Sequence, residues 1–497
     1  MSYLGLDIGT TGCKAVAFSE DGTLLHGAYR EYPLLHPFPR WAELDPQLVM
    51  SQCFDVIREV NASISDPVIA MCISSQGEAF TAVGQDGDYL CNAMVSSDSR
   101  AEAEVKEFEH AFTREKLYNI TGHTAHSIFT LFKLLWLRKN QPDIWNRAKY
   151  FLCFEDLLIS RLGLPPAISR PLAGRTMLFD VTNHRWSEDI LAFIKLDERK
   201  LAAVHPSNSV IGVIPRATAA SLGFTRDVAI VPGGHDQVIN ALGAGVLEPG
   251  QCMYASGTVE CLCPMFDRQV LTLALMENNL CCYDYALPNK YATVAYNITG
   301  GNLLKWFRDE LGTYEKQQAE RNQTTAYTEL LRDLPTEPTS LLVLPYFTGS
   351  GTPYFDTQAR GAILGLQLTT TKKEIVKSLL EGITLEIKLN LELMEQSGIA
   401  IHSFIAAGGG TRCDAWNQIK ADVLNKPIVV RQTAEAGCFG AAMLACSATT
   451  KTDIHERIRR IQSSGKTYSP IANNAARYEE IYTRYKSLYP CLKSIRE

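Results

Sequence analysis

The chain has little that would place it in a membrane, on a nucleic acid or in a disulfide-stapled fold. No apolar run approaches the about 18 residues needed to cross a bilayer. Lys and Arg number 48 against 54 Asp and Glu, a formal net charge of −6, so no basic excess draws the chain to nucleic acid or to an anionic membrane. The N-terminus, Met1-Ser2-Tyr3-Leu4, lacks the basic residues of a signal peptide and runs straight into a strand pattern. Fourteen cysteines are present, yet none forms a CxxC pair with matching His, and Cys261/Cys263 and Cys281/Cys282 are too closely spaced for a zinc framework. They are expected to be reduced core thiols in a cytoplasmic protein. Without secretion, the glycosylation-type triplets beginning at Asn61, Asn119 and Asn297 are chance matches. What remains is an ordinary globular balance, 46% hydrophobic and 21% charged. At 497 residues the chain exceeds one ordinary core, so at least two domains are expected.

The stretch Pro232-Gly233-Gly234-His235-Asp236-Gln237 organises the rest. The apolar run Val228–Val231 feeds it, and a small-residue segment from Val238 to Gly245 follows. Apolar strand, tight Gly turn and helix is how open α/β proteins present a polar side chain at the carboxyl end of a strand. Here that side chain is Asp236, a carboxylate able to accept a proton from a substrate hydroxyl. Taken alone, the stretch equally makes Asp236 a cap of the following helix.

Two hairpins weigh against the capping reading. Tyr3–Asp7 is a short strand ending in a carboxylate, Ile8-Gly9-Thr10-Thr11-Gly12 is a tight turn, and Lys14–Phe18 returns, with a third strand starting at Thr23. Gly lets backbone N–H groups approach an anion, and Thr10 and Thr11 add hydroxyl donors. Asp7 is a candidate Mg²⁺ carboxylate, and Lys14 a candidate for phosphate charge. By itself the turn is also compatible with a plain polar hairpin. A second copy follows Glu248-Pro249-Gly250: strand Gln251–Ala255, turn Ser256-Gly257-Thr258, strand Val259–Cys263. Two domains that each offer such a hairpin can grip a nucleotide's phosphates from opposite sides of a cleft. A third site is the strand Ile405–Ala407 followed by Gly408-Gly409-Gly410-Thr411 and a helix from about Asp414 to Leu424, a turn that lets backbone pass close to a nucleotide. Gly465-Lys466-Thr467 ends like a P-loop, but Arg460 stands where the first Gly belongs, and a surface loop is expected there.

Across nearly its whole length the chain resembles the FGGY family of carbohydrate kinases, within the two-domain actin-like/hexokinase-type (ribonuclease H-like) α/β ATPase fold. The segments that carry the resemblance are Asp7–Lys14, Lys133–Asn140, Gly361–Leu366 with Glu374-Ile375 and Ser378–Glu381, and Gly408–Arg412 followed by Trp416–Asp422, the last being similar to the xylulose kinase form of the adenosine motif. The resemblance implies an interdomain cleft, a sugar-holding domain over residues 1–247 and a second, nucleotide-holding domain over 248–497. It implies ATP and Mg²⁺, with Asp236 as catalytic base and Asp7 near the metal. Thr10, Thr11 and Lys14 match the first phosphate loop, Gly257 and Thr258 the second, Gly301 a glycine beside the nucleotide, and Gly408 and Gly409 the adenosine site, with Cys413 and Asp414 near the base. The expected partner is a small sugar or polyol, with no nucleic acid or membrane, and a homodimer is left open.

The substrate is less legible. Val68–Ser74 reads as a buried strand, and Gln76 and Glu78 leave its end where family members place sugar contacts, beside Asp236 and Gln237. Glu78 can accept two hydroxyl hydrogen bonds and Gln76 can donate and accept, or both can simply face solvent. A carboxylate there suits a neutral sugar or polyol and repels an acidic one. Xylulose kinases usually carry Met-His at this place; glycerol kinases carry a Glu preceded by Arg, where this chain has Gly77. Asp98 either reaches the same pocket or caps a helix through Phe108. Trp41 is expected to pack, His126 is a pocket candidate, His235 is expected to steady the turn, and His123 to be structural. Residues 310–338, polar and weakly periodic, are expected to be a helical insertion on the surface. The expected activity is phosphoryl transfer from MgATP to a hydroxyl, with a ketopentose such as xylulose favoured over glycerol or another polyol. The reading of another class is a non-catalytic actin-like nucleotide sensor.

Overall fold

The computed structural model describes residues 1–431, 435–462 and 465–496. Two sheets with the same wiring dominate it. In the first, β1 (Ser2–Ile8), β2 (Gly12–Ser19) and β3 (Leu24–Glu31) form an antiparallel meander. β4 (Val68–Ser75) lies parallel to β1 on its other side. β5 (Gly212–Val213) and β6 (Ala229–His235) complete the order β5-β6-β4-β1-β2-β3, with β6 parallel to β4. β1 and β4 are apolar on both faces because both faces are covered. One cover is α1 (Pro46–Ser63). Asp45 caps it by accepting from the Gln47 and Leu48 N–H groups, and it buries Val49, Met50, Cys53, Val56, Ile57 and Val60 at helical spacing. α2 (Asp236–Ala244) follows β6 directly.

The second sheet repeats the plan. β7 (Gln251–Ser256) and β8 (Glu260–Phe266) form the hairpin. β9 (Tyr283–Asp284), β10 (Tyr291–Ala292) and β11 (Ala295–Asn297) extend it beyond β8. On the other side β12 (Ser403–Ala407) and β13 (Ile428–Arg431) run parallel, and β14 (Gly465–Tyr468) closes the edge. Around it lie α3 (Gly301–Leu311), α4 (Thr313–Asn322), α5 (Ala326–Leu331), α6 (Lys372–Gln396) and α7 (Asp414–Leu424). α6 starts at a reciprocal cap, Thr371 accepting from the Glu374 N–H and Glu374 from the Thr371 N–H.

The two sheets take their strands from either side of Leu247, but α8 (Ala436–Thr450) crosses back. It packs on β1, β4 and β6 and against α2, so a division at 247/248 does not follow this helix. Its small residues allow very close backbone approach. A Cβ at Gly5 would lie 1.8 Å from the Cys438 carbonyl oxygen, and one at Gly243 1.8 Å from that of Ala436. Gly243→Ala is therefore expected to force α2 and α8 apart and destabilise the protein by about 1–3 kcal/mol, read as a lowered Tm.

Several local expectations are corrected. Pro232-Gly233-Gly234 is not a turn: β6 runs on to His235 with a register shift between Pro232 and Gly234, and a Cβ at Gly233 would lie 2.2 Å from the Ile73 carbonyl oxygen. The glycines let two parallel strands close up. Asp236 is then the first residue of α2, and the side chain of the residue before it, His235, makes no capping hydrogen bond. Gly465-Lys466-Thr467 is not a loop but lies in edge strand β14. Asp98 caps no helix, since the helix Glu102–Ala111 is preceded by Ala101. The 310–338 segment does hold two helices, α4 and α5, but part of it faces a cavity rather than solvent. The fourteen cysteines are free and most are buried. Among the described residues no helix is long and apolar enough to cross a membrane.

Candidate active site

Asp236 enters the interdomain cleft at the start of α2, its side chain 32% exposed. Burial is the main reason its carboxyl is pushed up to about 7, and the charges of Asp7 and Glu78 push the same way. Next to it, Gln237 accepts a hydrogen bond from the Cys261 thiol at 3.3 Å.

The β1–β2 hairpin brings Asp7 to the same cleft. Ser74 Oγ donates to Asp7 Oδ1 at 2.7 Å, which fixes the carboxylate, while burial raises its pKa. The turn closes with the Gly9 N–H on the Gly12 carbonyl at 2.9 Å. Thr11 is exposed at the tip. Thr10 donates its hydroxyl to Gln76 Oε1 at 3.1 Å, and Gln76 Nε2 donates to the Gly9 carbonyl at 3.0 Å. The Gln76 amide thus braces the β1–β2 turn from the end of β4. Lys14 pairs with Glu435 at 2.7 Å, a residue 421 positions away that immediately precedes α8.

A cavity of ≈ 520 Å³ lies here, bounded by Asp7, Lys14, Gly408, Gly409, Arg412, Arg431 and Glu435, together with the first turn of α8. A second, of ≈ 920 Å³, is lined by Gly257, Gly301, Leu304, Tyr327, Gly409, Arg412, Cys413, Asp414 and Trp416. Both touch Gly409 and Arg412, so they adjoin at the glycine turn. The first is polar and carries cations, as phosphates need; the second offers Trp416, Leu304 and Tyr327, the apolar and aromatic wall an adenine base needs. Gly257 and Thr258 stand exposed at the tip of the β7–β8 hairpin. The Gly301 and Asn302 N–H groups donate to the Gly257 and Thr258 carbonyls at 2.8 and 3.2 Å. Gly408 has φ +85°, and a Cβ on it would lie 2.5 Å from the Ser256 carbonyl oxygen, so glycine is required. Gly409 faces open space. Gly409→Asp should leave Tm unchanged but raise KM for a nucleotide about tenfold or more by like-charge repulsion, as steady-state kinetics and melting would check.

The residues fit a Mg²⁺ ion. Mg²⁺ takes one or two carboxylates and completes its shell with phosphate oxygens and water, and Asp7 supplies one oriented carboxylate on the wall of the phosphate-sized cavity.

On the other side of Asp236 the charges are paired. Glu78, at φ +63° and 3% exposed, is ion-paired with Arg175 and accepts from Ser96 Oγ at 2.7 Å. Its carboxylate is thus engaged by Arg175 through one oxygen and by Ser96 through the other. Arg175 Nη1 lies 3.2 Å from His123 Nε2, and its Nε–H has no hydrogen-bond partner among the described residues. Asp98 is fully buried, with its oxygens held by Arg100 and the Ala42 N–H. Arg100 also binds Glu43 and lies 3.6 Å from the Trp41 ring centroid. Asp98 and Trp41 are thus tied together through Arg100. A small cavity of ≈ 70 Å³ is lined by His126, Phe129, Arg175, Cys281, Tyr296 and Phe355. A Cβ at Gly77 would meet His235 Cδ2 at 2.9 Å and Arg175 Nε at 3.4 Å, so the space a side chain there would need is already filled.

Sequence reasoning missed Arg175 as a charge partner, Glu435 and Arg431 on the phosphate cavity, and the α3–α5 wall.

The chain matches the N-terminal domain of the FGGY family of carbohydrate kinases over residues 2–243 and the C-terminal domain over 253–449. It is 24% identical to a xylulose kinase of Staphylococcus xylosus over 98% of this chain and 100% of that one. It is 24% identical to a gluconokinase of Bacillus subtilis over 99% and 96%. The crystal structure of a xyloylose kinase from Brucella ovis superposes with a TM-score of 0.89 at 27% identity, covering 100% of both chains.

Proposed function

The chain belongs to the FGGY family of carbohydrate kinases, and from that premise we propose that it transfers the γ-phosphoryl group of MgATP to a hydroxyl of a small neutral sugar, a ketopentose such as xylulose ahead of glycerol or another polyol. The observation that carries the reading is the Asp236 carboxylate, partly open in the cleft and one helical turn from Asn240 on the phosphate cavity. Asp236 takes the proton of the substrate hydroxyl as that oxygen attacks the γ-phosphorus; the P–O bond to ADP breaks and the electron pair leaves with ADP. Gly257, Thr258, Thr11 and Gly409 line the phosphates, and Trp416, Leu304 and Tyr327 hold the base. Lys14, Arg412 and Arg431, on the wall of the same cavity, supply cationic charge for the phosphates. Mg²⁺, when bound at Asp7, neutralises charge on the transferring group. Closure of the cleft excludes water, so that ATP is not hydrolysed.

The neutral-substrate reading is supported by charge balance. Arg175, a cation on the substrate side, is already neutralised by Glu78, so an aldonate carboxylate would find no unpaired charge there. This favours the ketopentose direction of the relatives' names over the aldonate one. Glycerol-type recognition is disfavoured because His235 and Arg175 fill the place of an arginine at position 77. Gln237, half-buried beside Asp236, is the proposed sugar contact on this side, with Glu78 acting through its pair with Arg175; Gln76 braces the β1–β2 turn, and Asp98 is held by Arg100.

The test is ADP release, coupled to a spectroscopic readout, over ketopentoses, 6-deoxyketoses, polyols, glycerol and gluconate. Turnover with a neutral sugar and none with gluconate is expected; turnover with gluconate alone would overturn the substrate reading. The pH dependence has a definite sign. Asp236 accepts a proton only as the anion, so kcat/KM should fall as pH drops through about 7 and level off above it, as a pH–rate profile would show.

A further inference from the structure

We propose that His235 is a positioning residue, whose Nε2–H holds the Asp236 carboxylate in the orientation in which it accepts the substrate's proton, with Tyr283 fixing the imidazole tautomer from the second half of the chain. This rests on Asp236 being the base. His235 Nε2 lies 3.2 Å from Asp236 Oδ1, and Nδ1 lies 2.9 Å from the Tyr283 hydroxyl. The imidazole is 6% exposed. Burial, and then the charges of Arg175 and His123, disfavour its protonation, so it carries a single N–H. If that proton sat on Nδ1, the Nε2 lone pair would face the Asp236 anion. With the Tyr283 O–H donating to Nδ1, the proton sits on Nε2, the ring nitrogen that lies 3.2 Å from the carboxylate.

The surroundings are built for this ring. Gly77 leaves the space it needs, since a Cβ there would lie 3.0 Å from Nε2. Asp7 and Glu78 face Asp236 electrostatically, and Gln237 and Cys261 lie beside it. Arg175 and His123 face the imidazole, and the Arg175 guanidinium lies 5.7 Å from the Tyr283 ring centroid. Tyr283 is anchored to the first half of the chain, because the adjacent Cys282 N–H donates to the Gly122 carbonyl at 2.8 Å. The orientation of the base therefore depends on the two halves being docked at this seam.

The experiment compares His235→Leu, His235→Gln, Tyr283→Phe and Asp236→Asn in the full chain, with kcat, both KM values, the pH profile of kcat/KM and thermal melting. His235→Leu should lower kcat about tenfold to a hundredfold, leave KM for ATP unchanged, and move the acid limb to higher pH, because the anion has lost a donor. His235→Gln can place an amide N–H near Nε2 and should recover most of kcat. Tyr283→Phe should fall between, and adding it to His235→Leu should cost nothing more. Wild-type kcat and acid limb in His235→Leu, or equal losses in the Leu and Gln variants, would overturn the proposal. If His235→Leu does not fold, Tyr283→Phe decides: an unchanged kcat and acid limb overturn it. Sugar turnover retained in Asp236→Asn would sink the base assignment itself; its collapse there with His235→Leu unaffected would sink only the positioning role.

Discussion

Asp236→Asn is expected to lower sugar-dependent turnover by about 10²–10⁴-fold while ATP affinity stays within a few fold of wild type. The substitution keeps the shape of the side chain at the head of α2 and removes the proton acceptor. Asp236 is absent from the walls of both adjoining cavities assigned to ATP: the first is lined from β1, β2, α8, the Gly408 turn and, farther along α2, Asn240 and Ala244, and the second from the second hairpin, α3, α5 and the start of α7. A nucleotide titration should therefore give a near-unchanged Kd, and the kinetic loss should fall in kcat. Folding should not suffer, because a carboxylate whose burial disfavours its charge is replaced by a neutral amide. Equal losses of turnover and ATP binding would instead make Asp236 part of the nucleotide site.

Arg175→Met should destabilise the protein by about 3–5 kcal/mol, the cost of leaving one partner of a buried ion pair alone. Glu78 is 3% exposed, and among the described residues its carboxylate is bound by Arg175 and Ser96 alone. The double variant Arg175→Met/Glu78→Gln should recover much of this, since neither charge then remains. Denaturant unfolding of the two variants measures the difference. Equal instability would mean that Arg175 contributes through packing against Phe129 and Tyr283 and not through its charge.

The two hairpins and the Gly408 turn were legible because each is local: a strand, a turn that needs Gly, and a strand, within about a dozen residues. The doubled wiring of the sheets follows from finding that unit twice. The contacts of Gln76 with the β1–β2 turn were hidden for a non-local reason. β1 and β4 pair in parallel with Ile8 opposite Ser75, so the next residue lands beside Gly9 and its amide binds the loop. A strand-end position gives no sign of that register. Pro232-Gly233-Gly234 reads as a turn because Gly favours turns, yet its glycines serve the approach of β6 to β4. Arg175, Glu435 and Tyr283 lie roughly 50 to 420 positions from Glu78, Lys14 and His235 respectively along the chain. No periodicity connects such pairs. The 310–338 segment was expected at the surface because polar residues dominate its composition, while Tyr327 of α5 lines the cavity.

The most direct measurement is ³¹P NMR of the purified protein with MgATP and each sugar of the panel, wild type beside Asp236→Asn. The account predicts a new phosphomonoester resonance with a neutral sugar, matched by ADP, little inorganic phosphate, and loss of the resonance in Asp236→Asn. ADP and inorganic phosphate formed at the same rate with or without any sugar, and with no ester, would contradict it.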